Sequence, residues 1–563
     1  MIYHCEDHTC NYWDEGEKLP ERCPQCGRKL LRANEADMTG DDWTALGNTL
    51  WDAEASDKKR MVDCFRKAAY LGSAWGVCNL GICMEQGNGV EADPVQAFWL
   101  YQQAVEMGSL NAVCCLGVCY QYGIGTAPDA KQAAELYCKA AEYGSPRGQM
   151  LLARAFHDGI GVEADAAEAV YWVRAAAYQR YGEGMHRLGV CYEYGDGVEQ
   201  NWERAVHWFR EAAESGVGVA MTDLGYCYEK GCGVEQSWEQ AFSWYRRGAE
   251  CGNLQSMHNL GCCYEKGRGV EQSWEQAFSW YRRSAECGNP VSMSNLGLCY
   301  QMGYGVEQNW QEAIKWYEQG AQCGDLQSMH NLACCYEHGE GVEQNMTEAI
   351  RWYTAAAEGG NADDMYELGW QYDHGEGVEQ DMKKAICWYE RAAEQNHPAA
   401  MNSLGECYAM GRGVPRDLET AMEWYRRAAE LGEAMADYNM GWHLEQAGKL
   451  SEAYTHYRKA ADGNDDSAWW ALGRFYENGV VVAQDGKEAR RCYETGEKLG
   501  SVKCKMRLAR CKLLGIGGRR AKKAGLDLCR QALELAKESS EKEDYGYEAE
   551  MNLLRRTIAE NES

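Results

Sequence analysis

The chain has 563 residues, and its 57 basic against 86 acidic side chains leave a net charge of −29. This acidic balance repels phosphate backbones and argues against the whole chain being a nucleic-acid-binding protein. No apolar run reaches the roughly 18 residues that a membrane helix needs, and the first residues lack the basic and apolar regions of a signal peptide. We therefore expect a cytoplasmic chain in a reducing compartment, where cysteines stay as thiols.

Four cysteines near the N-terminus have a spacing typical of a metal-binding ribbon. They are Cys5, Cys10, Cys23 and Cys26. In the Cys-Pro-Gln-Cys-Gly segment two thiolates approach one tetrahedral ion, and Gly27 permits the tight turn. The first pair is spaced more widely than usual, so His4 and His8 are alternative ligands. The pattern predicts a structural Zn²⁺ ribbon over residues 1–35, with iron as an alternative metal and an unstructured tail as the alternative interpretation.

From about residue 40 the sequence repeats with a period of 36 residues. A Gly-x-Gly-(Val/Thr) signature recurs ten times without insertion, with its first glycine running from Gly87 to Gly411. Leu or Met followed by Gly or Ala marks fourteen units between Leu46 and Leu508. Repetition at this period predicts a helical solenoid, in which short units bury their apolar faces by stacking.

Each unit is predicted to form two helices joined by a glycine turn. In one unit Met257, Leu260 and Tyr264 recur at helical spacing, and Gly267 ends the helix because glycine readily adopts the left-handed conformation. The second helix begins at an Asp, Asn or Ser, a good N-cap residue, in all ten regular units. Seven of these have Glu or Gln three residues later, which predicts a reciprocal capping box.

The second helices combine small and large residues. Ala stands four residues after the cap in all ten units, and Trp stands seven residues after it in eight. We interpret the Trp stripe as core and not as a ligand site, because Ala allows a neighbouring helix to approach closely, and Trp and the following Tyr or Phe fill the remaining space. Nine cysteines recur three residues after the first-helix Leu, where we interpret them as small apolar residues that form no disulfides.

The repeat pattern L-G-x-C-Y-E-x-G-x-G-V-E-Q-(N/S/D)-W-x-x-A-x-x-W-Y-x-x-A-A-E-x-G resembles the Sel-1-like repeat, a relative of the tetratricopeptide repeat, over residues 40–535. The resemblance implies an all-α fold, a right-handed α/α superhelix of about fourteen helix-turn-helix repeats that serves as an adaptor or scaffold. Thr126 replaces the usual Val, and residues 445–450 shorten one turn. We expect residues 536–563 to form a capping helix and a tail.

The resemblance also implies where a partner binds. In the tetratricopeptide architecture the first helices line a concave face, and the matching positions here are polar, acidic and aromatic. Such a surface suits a protein or peptide with basic and apolar anchors. The candidate residues are His186, Tyr226, His258, His330, Tyr366, Trp370, Tyr438 and Trp442, with Glu193, Glu229, Glu265 and Glu337 as acidic neighbours.

One stretch near the C-terminus is basic. Residues 501–530 hold ten basic side chains against Asp527 alone. This basic stretch is a candidate docking site for an acidic partner, a nucleic acid or a second copy of the chain, and the alternative is a solvated terminal unit. Its candidate residues are Lys503, Lys505, Arg507, Arg510, Lys512, Arg519, Arg520, Lys522 and Lys523.

The sequence contains no His-Glu-x-x-His, no Gly-x-Ser-x-Gly and no Walker-type Gly-Lys-Ser motif. We therefore expect a non-enzymatic interaction scaffold that binds a protein or peptide on the concave face and makes no membrane contact. The alternative is a nucleic-acid-associated regulator, in which the ribbon and the basic stretch contact DNA or RNA while the repeats recruit protein.

Overall fold

In this computed structural model the described residues are 2–5, 13–15, 30–32, 35–51, 55–542 and 547–562. Three short strands, β1 (Ile2–Cys5), β2 (Trp13–Glu15) and β3 (Leu30–Arg32), form an antiparallel sheet in the order β2-β1-β3. The register pairs Tyr3 with Asp14 on one side and with Arg32 on the other. A single 3-10 turn, Glu35–Asp37, then precedes the helices.

Twenty-nine α-helices fill the rest of the described chain, as fourteen pairs of a first and a second helix followed by one final helix. The first helices are α1 (Gly40–Thr49), α3 (Ala74–Gln86), α5 (Leu110–Tyr122), α7 (Pro146–Asp158), α9 (Gly182–Tyr194), α11 (Gly218–Lys230), α13 (Leu254–Lys266), α15 (Pro290–Met302), α17 (Leu326–His338), α19 (Ala362–His374), α21 (Pro398–Met410), α23 (Ala434–Gln446), α25 (Asp466–Asn478) and α27 (Val502–Leu514). The second helices are α2 (Ala55–Tyr70), α4 (Pro94–Glu106), α6 (Ala130–Glu142), α8 (Ala166–Tyr178), α10 (Trp202–Glu214), α12 (Trp238–Glu250), α14 (Trp274–Glu286), α16 (Trp310–Gln322), α18 (Met346–Glu358), α20 (Met382–Glu394), α22 (Leu418–Glu430), α24 (Leu450–Asp462), α26 (Gly486–Lys498) and α28 (Lys522–Lys542), and the final helix is α29 (Glu548–Glu562). The predicted helical solenoid is confirmed.

The described residues group into two compact units. The first unit ends at Ser292 and also holds Tyr304–Val306, and the second unit holds Met293–Gly303 and the residues from Glu307 onward. Inside each unit, first helices pack on the second helices of their own pair and of the pair before. In the second unit, α29 packs on α27 and α28. No helix in the described part of the chain combines the length and the apolar character that crossing a bilayer requires.

The two glycines of each Gly-x-Gly turn have different structural roles. Gly267 ends α13 with a φ of +64°, and its N–H donates to the carbonyl oxygen of Cys263. Gly269 has a φ of +71° and lies against the preceding pair, where a Cβ would overlap the carbonyl oxygen of Trp238. The first glycine therefore ends a helix, whereas the second one permits neighbouring pairs to stack closely.

The ten predicted N-caps are confirmed, but the reciprocal capping box is not formed in these units. In α14 the Ser273 hydroxyl accepts the Gln276 N–H at 3.3 Å. The Ser273 N–H donates instead to the carbonyl oxygen of Tyr264 in the first helix, at 2.9 Å. The side chain of Gln272 also donates to the carbonyl oxygen of Glu265, at 2.8 Å. The cap thus ties the start of the second helix to the end of the first, which removes the donor that a capping box needs.

The most deeply buried aromatic residue of each second helix is, in most pairs, a tyrosine. Tyr245 is 1% exposed and lies so close beneath Gly225 that a Cβ there would be 2.5 Å from a ring carbon. Its hydroxyl donates to Glu229 at 2.9 Å. The fully buried tyrosines are Tyr101, Tyr137, Tyr245, Tyr281, Tyr317, Tyr353, Tyr389, Tyr425, Tyr457 and Tyr493.

The Trp stripe also packs on this core. Trp244 is 9% exposed and belongs to the core, and the guanidinium of Arg247 is 4.2 Å from its ring centroid. The same pairing recurs at Trp388 with Arg391, at 4.3 Å. Trp rings such as Trp388 are partly buried against the core, because the space beneath the first-helix glycine is already filled by tyrosine, and a cation lies over the ring face.

Candidate partner-binding surface

The eight candidate residues all lie on first helices. His186, Tyr226 and His258 belong to α9, α11 and α13 of the first unit. The other five lie on α17, α19 and α23 of the second unit; they are His330, Tyr366, Trp370, Tyr438 and Trp442. We call the face that carries them the first-helix surface of each unit.

Two of the histidines connect neighbouring first helices. His186 Nε2 lies 2.6 Å from Asp223 Oδ2 on the next first helix. His330 Nδ1 lies 2.7 Å from Asp364 Oδ1, and this hydrogen bond raises the pKa of His330 to about 10. These contacts stabilise the stacking of pairs, and sequence reasoning did not identify either aspartate because the two carboxylates occupy different positions in their repeats.

His258 has less contact with solvent. It is buried, its Nδ1 lies 3.2 Å from the Ser292 hydroxyl and its Nε2 lies 3.5 Å from the Cys262 thiol. Burial lowers the pKa of His258 to about 4, so the ring is neutral at ordinary pH. Little of this side chain is available to a partner.

The aromatic candidates differ in how much surface they present. Tyr226 is 43% exposed and Trp442 is 38% exposed. Trp370 is partly exposed and stacks on His374 with ring centroids 4.3 Å apart. Tyr366 and Tyr438 are also partly buried; Tyr366 stacks on His397. The exposed rings form separate anchoring points in the two units.

The acidic candidates divide into two groups. Glu229, Glu265 and Glu337 accept hydroxyls from buried tyrosines, at 2.9, 2.6 and 2.7 Å. They therefore have a structural bond in addition to any contact with a partner. Glu193 differs because the corresponding ring is Phe209, which has no hydroxyl to donate. Burial and the nearby Asp223 carboxylate raise the pKa of Glu193.

The basic stretch does not present all of its charge to solvent. Arg507 pairs with Glu550 at 2.6 Å and with Glu477 at 3.4 Å, and Arg510 also pairs with Glu477. The ammonium of Lys503 lies 5.3 Å from the Trp470 ring centroid.

Other members of the stretch differ in exposure. Arg520 is exposed and also donates to the carbonyl oxygen of Leu513, at 3.2 Å. Lys505 and Lys512 are half-buried, whereas Arg519, Lys522 and Lys523 are exposed. A docking site here would therefore rest mainly on the turn before α28 and its first residues.

The predicted zinc site falls largely on residues that are not described. Cys10, Cys23 and Cys26 lie outside the described residues, and Cys5 is the last residue of β1. Within the described ranges, no group of three or more His, Cys, Asp or Glu side chains is arranged to hold a metal ion. The nine cysteines that stand three residues after the first-helix Leu, such as Cys227 and Cys263, are buried thiols, as predicted.

Stacked pairs of helices, most of them with a glycine turn and a side-chain N-cap on the second helix, define an α-helical repeat protein. The family model for the Sel1 repeat matches twelve segments of the chain. These are residues 76–109, 112–145, 146–181, 182–217, 218–253, 254–289, 290–325, 326–361, 362–397, 398–433, 434–465 and 468–501. The chain therefore belongs to the Sel1 repeat family, whose members generally act as protein-interaction scaffolds.

A solved structure with an SLR fold agrees with this assignment. The chain is 30% identical to a protective antigen present in uropathogenic Escherichia coli strains that displays an SLR fold, with 85% of this chain and 97% of that chain covered and a TM-score of 0.53. It is 26% identical to a Sel1 repeat protein from Oxalobacter formigenes, with 56% of this chain and 89% of that chain covered and a TM-score of 0.43. A comparison with curated proteins found no match.

Proposed function

We propose that the chain is a non-enzymatic scaffold whose first-helix surfaces bind a protein or peptide with basic and apolar anchors. The observation that carries this proposal is the presence of exposed aromatic rings on surfaces that also hold carboxylates with a raised pKa. Aromatic side chains supply most of the contact energy in many interfaces, and carboxylates select cationic neighbours.

The second unit offers the stronger combination. Glu367 lies next to Tyr366 in the sequence and is partly buried. Burial and the carboxylates of Glu337 and Asp364 raise its pKa, although His330 offsets part of this effect. A Lys or Arg of a partner would relieve this repulsion while an apolar side chain packs on Trp370.

The first unit repeats the arrangement with fewer rings. Tyr226 is exposed on α11, and the ammonium of Lys230 lies 5.7 Å from its ring centroid. Glu193 on α9 has the raised pKa already described. An extended partner on the first helices of either unit would therefore meet an aromatic group and a carboxylate.

This function can be tested by selecting, from a library of random peptides, those that bind the full-length chain. We expect the selected sequences to be enriched in Lys or Arg beside apolar residues. Binding of the selected peptides should weaken about tenfold or more when Trp370 and Trp442 are changed together to Ala, because aromatic anchors typically contribute at least that much.

Exposed rings on second helices supply the matched control. Trp99 on α4 and Tyr171 on α8 are 61% and 59% exposed. Trp99→Ala and Tyr171→Ala should leave peptide affinity unchanged. Equal losses in both sets of variants, or a failure to select any peptide, would contradict the proposal.

We also propose that the four N-terminal cysteines hold a structural Zn²⁺. In the sheet Cys5 pairs with Leu30, which is four residues after Cys26 in the sequence. This pairing supports the proposal because it places the strand that follows the second cysteine pair beside the strand that ends at Cys5. Elemental analysis of the purified chain should find zinc that is lost in a Cys23→Ser/Cys26→Ser variant. Iron in its place would support the alternative metal, and no bound metal would contradict a metal ribbon. The many buried thiols also favour a reducing compartment such as the cytoplasm.

A further inference from the structure

One helix pair in the first unit lacks the ring that its neighbours bury. From α3/α4 to α25/α26, the residue beneath the first helix is Tyr or Phe, except in α7/α8, where it is Val173. Ala153 replaces the glycine above it. His157 replaces the Glu or Gln that receives the tyrosine hydroxyl in most other pairs. All three elements of the repeated contact are thus changed together.

A cavity of about 390 Å³ lies between α7, α8 and α9 at this place. Its floor includes Ala153, Val170 and Val173, which are almost fully buried. Met150 and Cys191 complete the floor, and their sulfur atoms are weak hydrogen-bond acceptors. Apolar walls hold water poorly, so an apolar group that enters the cavity is stabilised there.

Charged side chains form the rim of the cavity. His157 Nδ1 lies 2.7 Å from Asp158 Oδ1, and its Nε2 lies 3.2 Å from Asp196 Oδ2. Arg154 and Arg187 pair with these same two carboxylates, at 3.3 and 3.7 Å. These side chains are substantially more exposed than the floor, so the cavity opens through a polar rim.

The exposed carboxylate of Glu183 accepts the Tyr181 hydroxyl at 3.2 Å, whereas Asp158 and Asp196 already contact His157 and the two guanidiniums. Glu183 would repel an anionic ring compound and would attract a cation beside the ring. The hydroxyl of a tyrosine entering from the rim would point into the apolar floor and lose its hydrogen bonds with water. An unsubstituted phenyl ring meets neither cost.

We propose that this cavity binds the phenylalanine side chain of a partner peptide that carries Lys or Arg next to that residue. The rings buried in the other pairs show that this position in the repeat accommodates an aromatic ring. The proposal rests on the peptide-binding function proposed above and names one anchor of the peptide and the pocket that receives it.

The first test uses N-acetyl-phenylalanine amide and the full-length chain in saturation-transfer NMR. We expect transfer to the phenyl protons with the wild type and loss of transfer in Val173→Tyr/Ala153→Gly/His157→Glu, which restores the repeated contact and fills the cavity. N-acetyl-tyrosine amide should give weaker transfer. Ala333→Gly is the matched control, because it restores the common glycine in α17/α18 without changing a cavity wall.

A second variant that fills the cavity keeps the test valid if the first one does not fold. Ala153→Leu narrows the same cavity from α7, and thermal unfolding followed by circular dichroism establishes that each variant is folded. Transfer that persists in both folded closing variants overturns the proposal. Equal transfer to the phenylalanine and tyrosine amides overturns the assignment of phenylalanine.

A short peptide with a central Phe and flanking Lys residues provides the second test. Its affinity should fall about tenfold or more in the filled variant and should stay unchanged in Ala333→Gly. Unchanged affinity in the filled variant, while Trp370→Ala/Trp442→Ala still weakens selected peptides, overturns this pocket and leaves the proposed function intact. A third outcome is also informative. If the phenylalanine amide binds in the cavity but no peptide can be selected on the chain, the pocket is supported and the proposed function is contradicted.

Discussion

His330 Nδ1 lies 2.7 Å from Oδ1 of Asp364, a carboxylate whose side chain has no exposed surface. The two residues belong to neighbouring first helices of the second unit and are 34 positions apart. A buried carboxylate needs a partner because its desolvation is costly. The histidine therefore helps to determine how α17 and α19 stack.

Removal of this histidine should destabilise the chain. We expect His330→Ala to lower the free energy of unfolding by about 3 kcal/mol at neutral pH, since the buried Asp364 would lose its cationic partner. Urea unfolding followed by circular dichroism measures the change. His338→Ala, at an exposed position of the same helix, should change the stability little. Equal effects of the two substitutions would show that the ion pair is not important.

The same pair predicts a pH dependence. The pKa of His330 is raised from its ordinary 6.5 to about 10 by its bond to Asp364. Because the pKa is higher in the folded state, the stabilisation is present below about pH 6.5 and is lost as the pH rises toward 10. The difference in unfolding free energy between the wild type and His330→Gln should therefore shrink over this range. A constant difference would contradict the assignment.

The contact between glycine and tyrosine can be tested by paired substitutions. Gly225→Ala should lower the free energy of unfolding by about 1–3 kcal/mol, because its Cβ would overlap the Tyr245 ring. The double variant Gly225→Ala/Tyr245→Val has the same two residues that occur at Ala153 and Val173. Tyr245→Val should therefore lower the free energy of unfolding less in the Gly225→Ala variant than in the wild type. Additive losses in a double-mutant cycle would contradict this coupling. Ala333 above Tyr353 has no evident explanation in the structure.

The two glycines of one turn should differ in their tolerance of a side chain. Gly267→Ala should cost about 1–2 kcal/mol, the penalty for a left-handed backbone conformation. Gly269→Ala should cost about 1–3 kcal/mol more, since its Cβ would also overlap the backbone of Trp238 in the preceding pair. Chemical unfolding of both variants measures the difference, and equal losses would show that the second glycine has no role in stacking.

Basic residues of the C-terminal stretch should separate into structural and exposed ones. Arg507→Gln should lower stability by about 3 kcal/mol, because Glu477 and Glu550 are both largely buried. Lys522→Gln/Lys523→Gln should leave the melting temperature within about 1–2 °C of the wild type, since both side chains are exposed. Thermal unfolding distinguishes the two classes, and similar shifts would contradict this division.

Much of the fold could be predicted from the sequence because its signals are local. A left-handed glycine at position 267 and an N-cap at Ser273 act on backbone groups only a few residues away. Repetition every 36 residues then implies stacking of similar pairs. The capping box was an exception, since the N–H of Ser273 is bonded to Tyr264, and the local pattern contains no information about that acceptor.

The candidate surface was predicted less completely. The positions of Tyr226 and Trp442 on exposed first-helix faces follow from the repeat. The internal bonds of His258 do not, because they depend on side chains from a neighbouring helix. The sequence does contain a signal for the cavity, because Val173 stands where the other regular units have Tyr or Phe. This signal can be interpreted only once the structure shows that those rings fill the same space in the neighbouring pairs.

The helical pairs, their period and the positions of their turns follow from the amino-acid sequence, because each of these depends on residues close together in the chain. Only the packed structure shows that tyrosine is the more deeply buried of the two aromatic residues, that His330 pairs with Asp364, and that Val173 leaves a cavity with a charged rim. These features arise from distances between side chains of different helices, and such distances are set by packing and not by any local preference of the backbone.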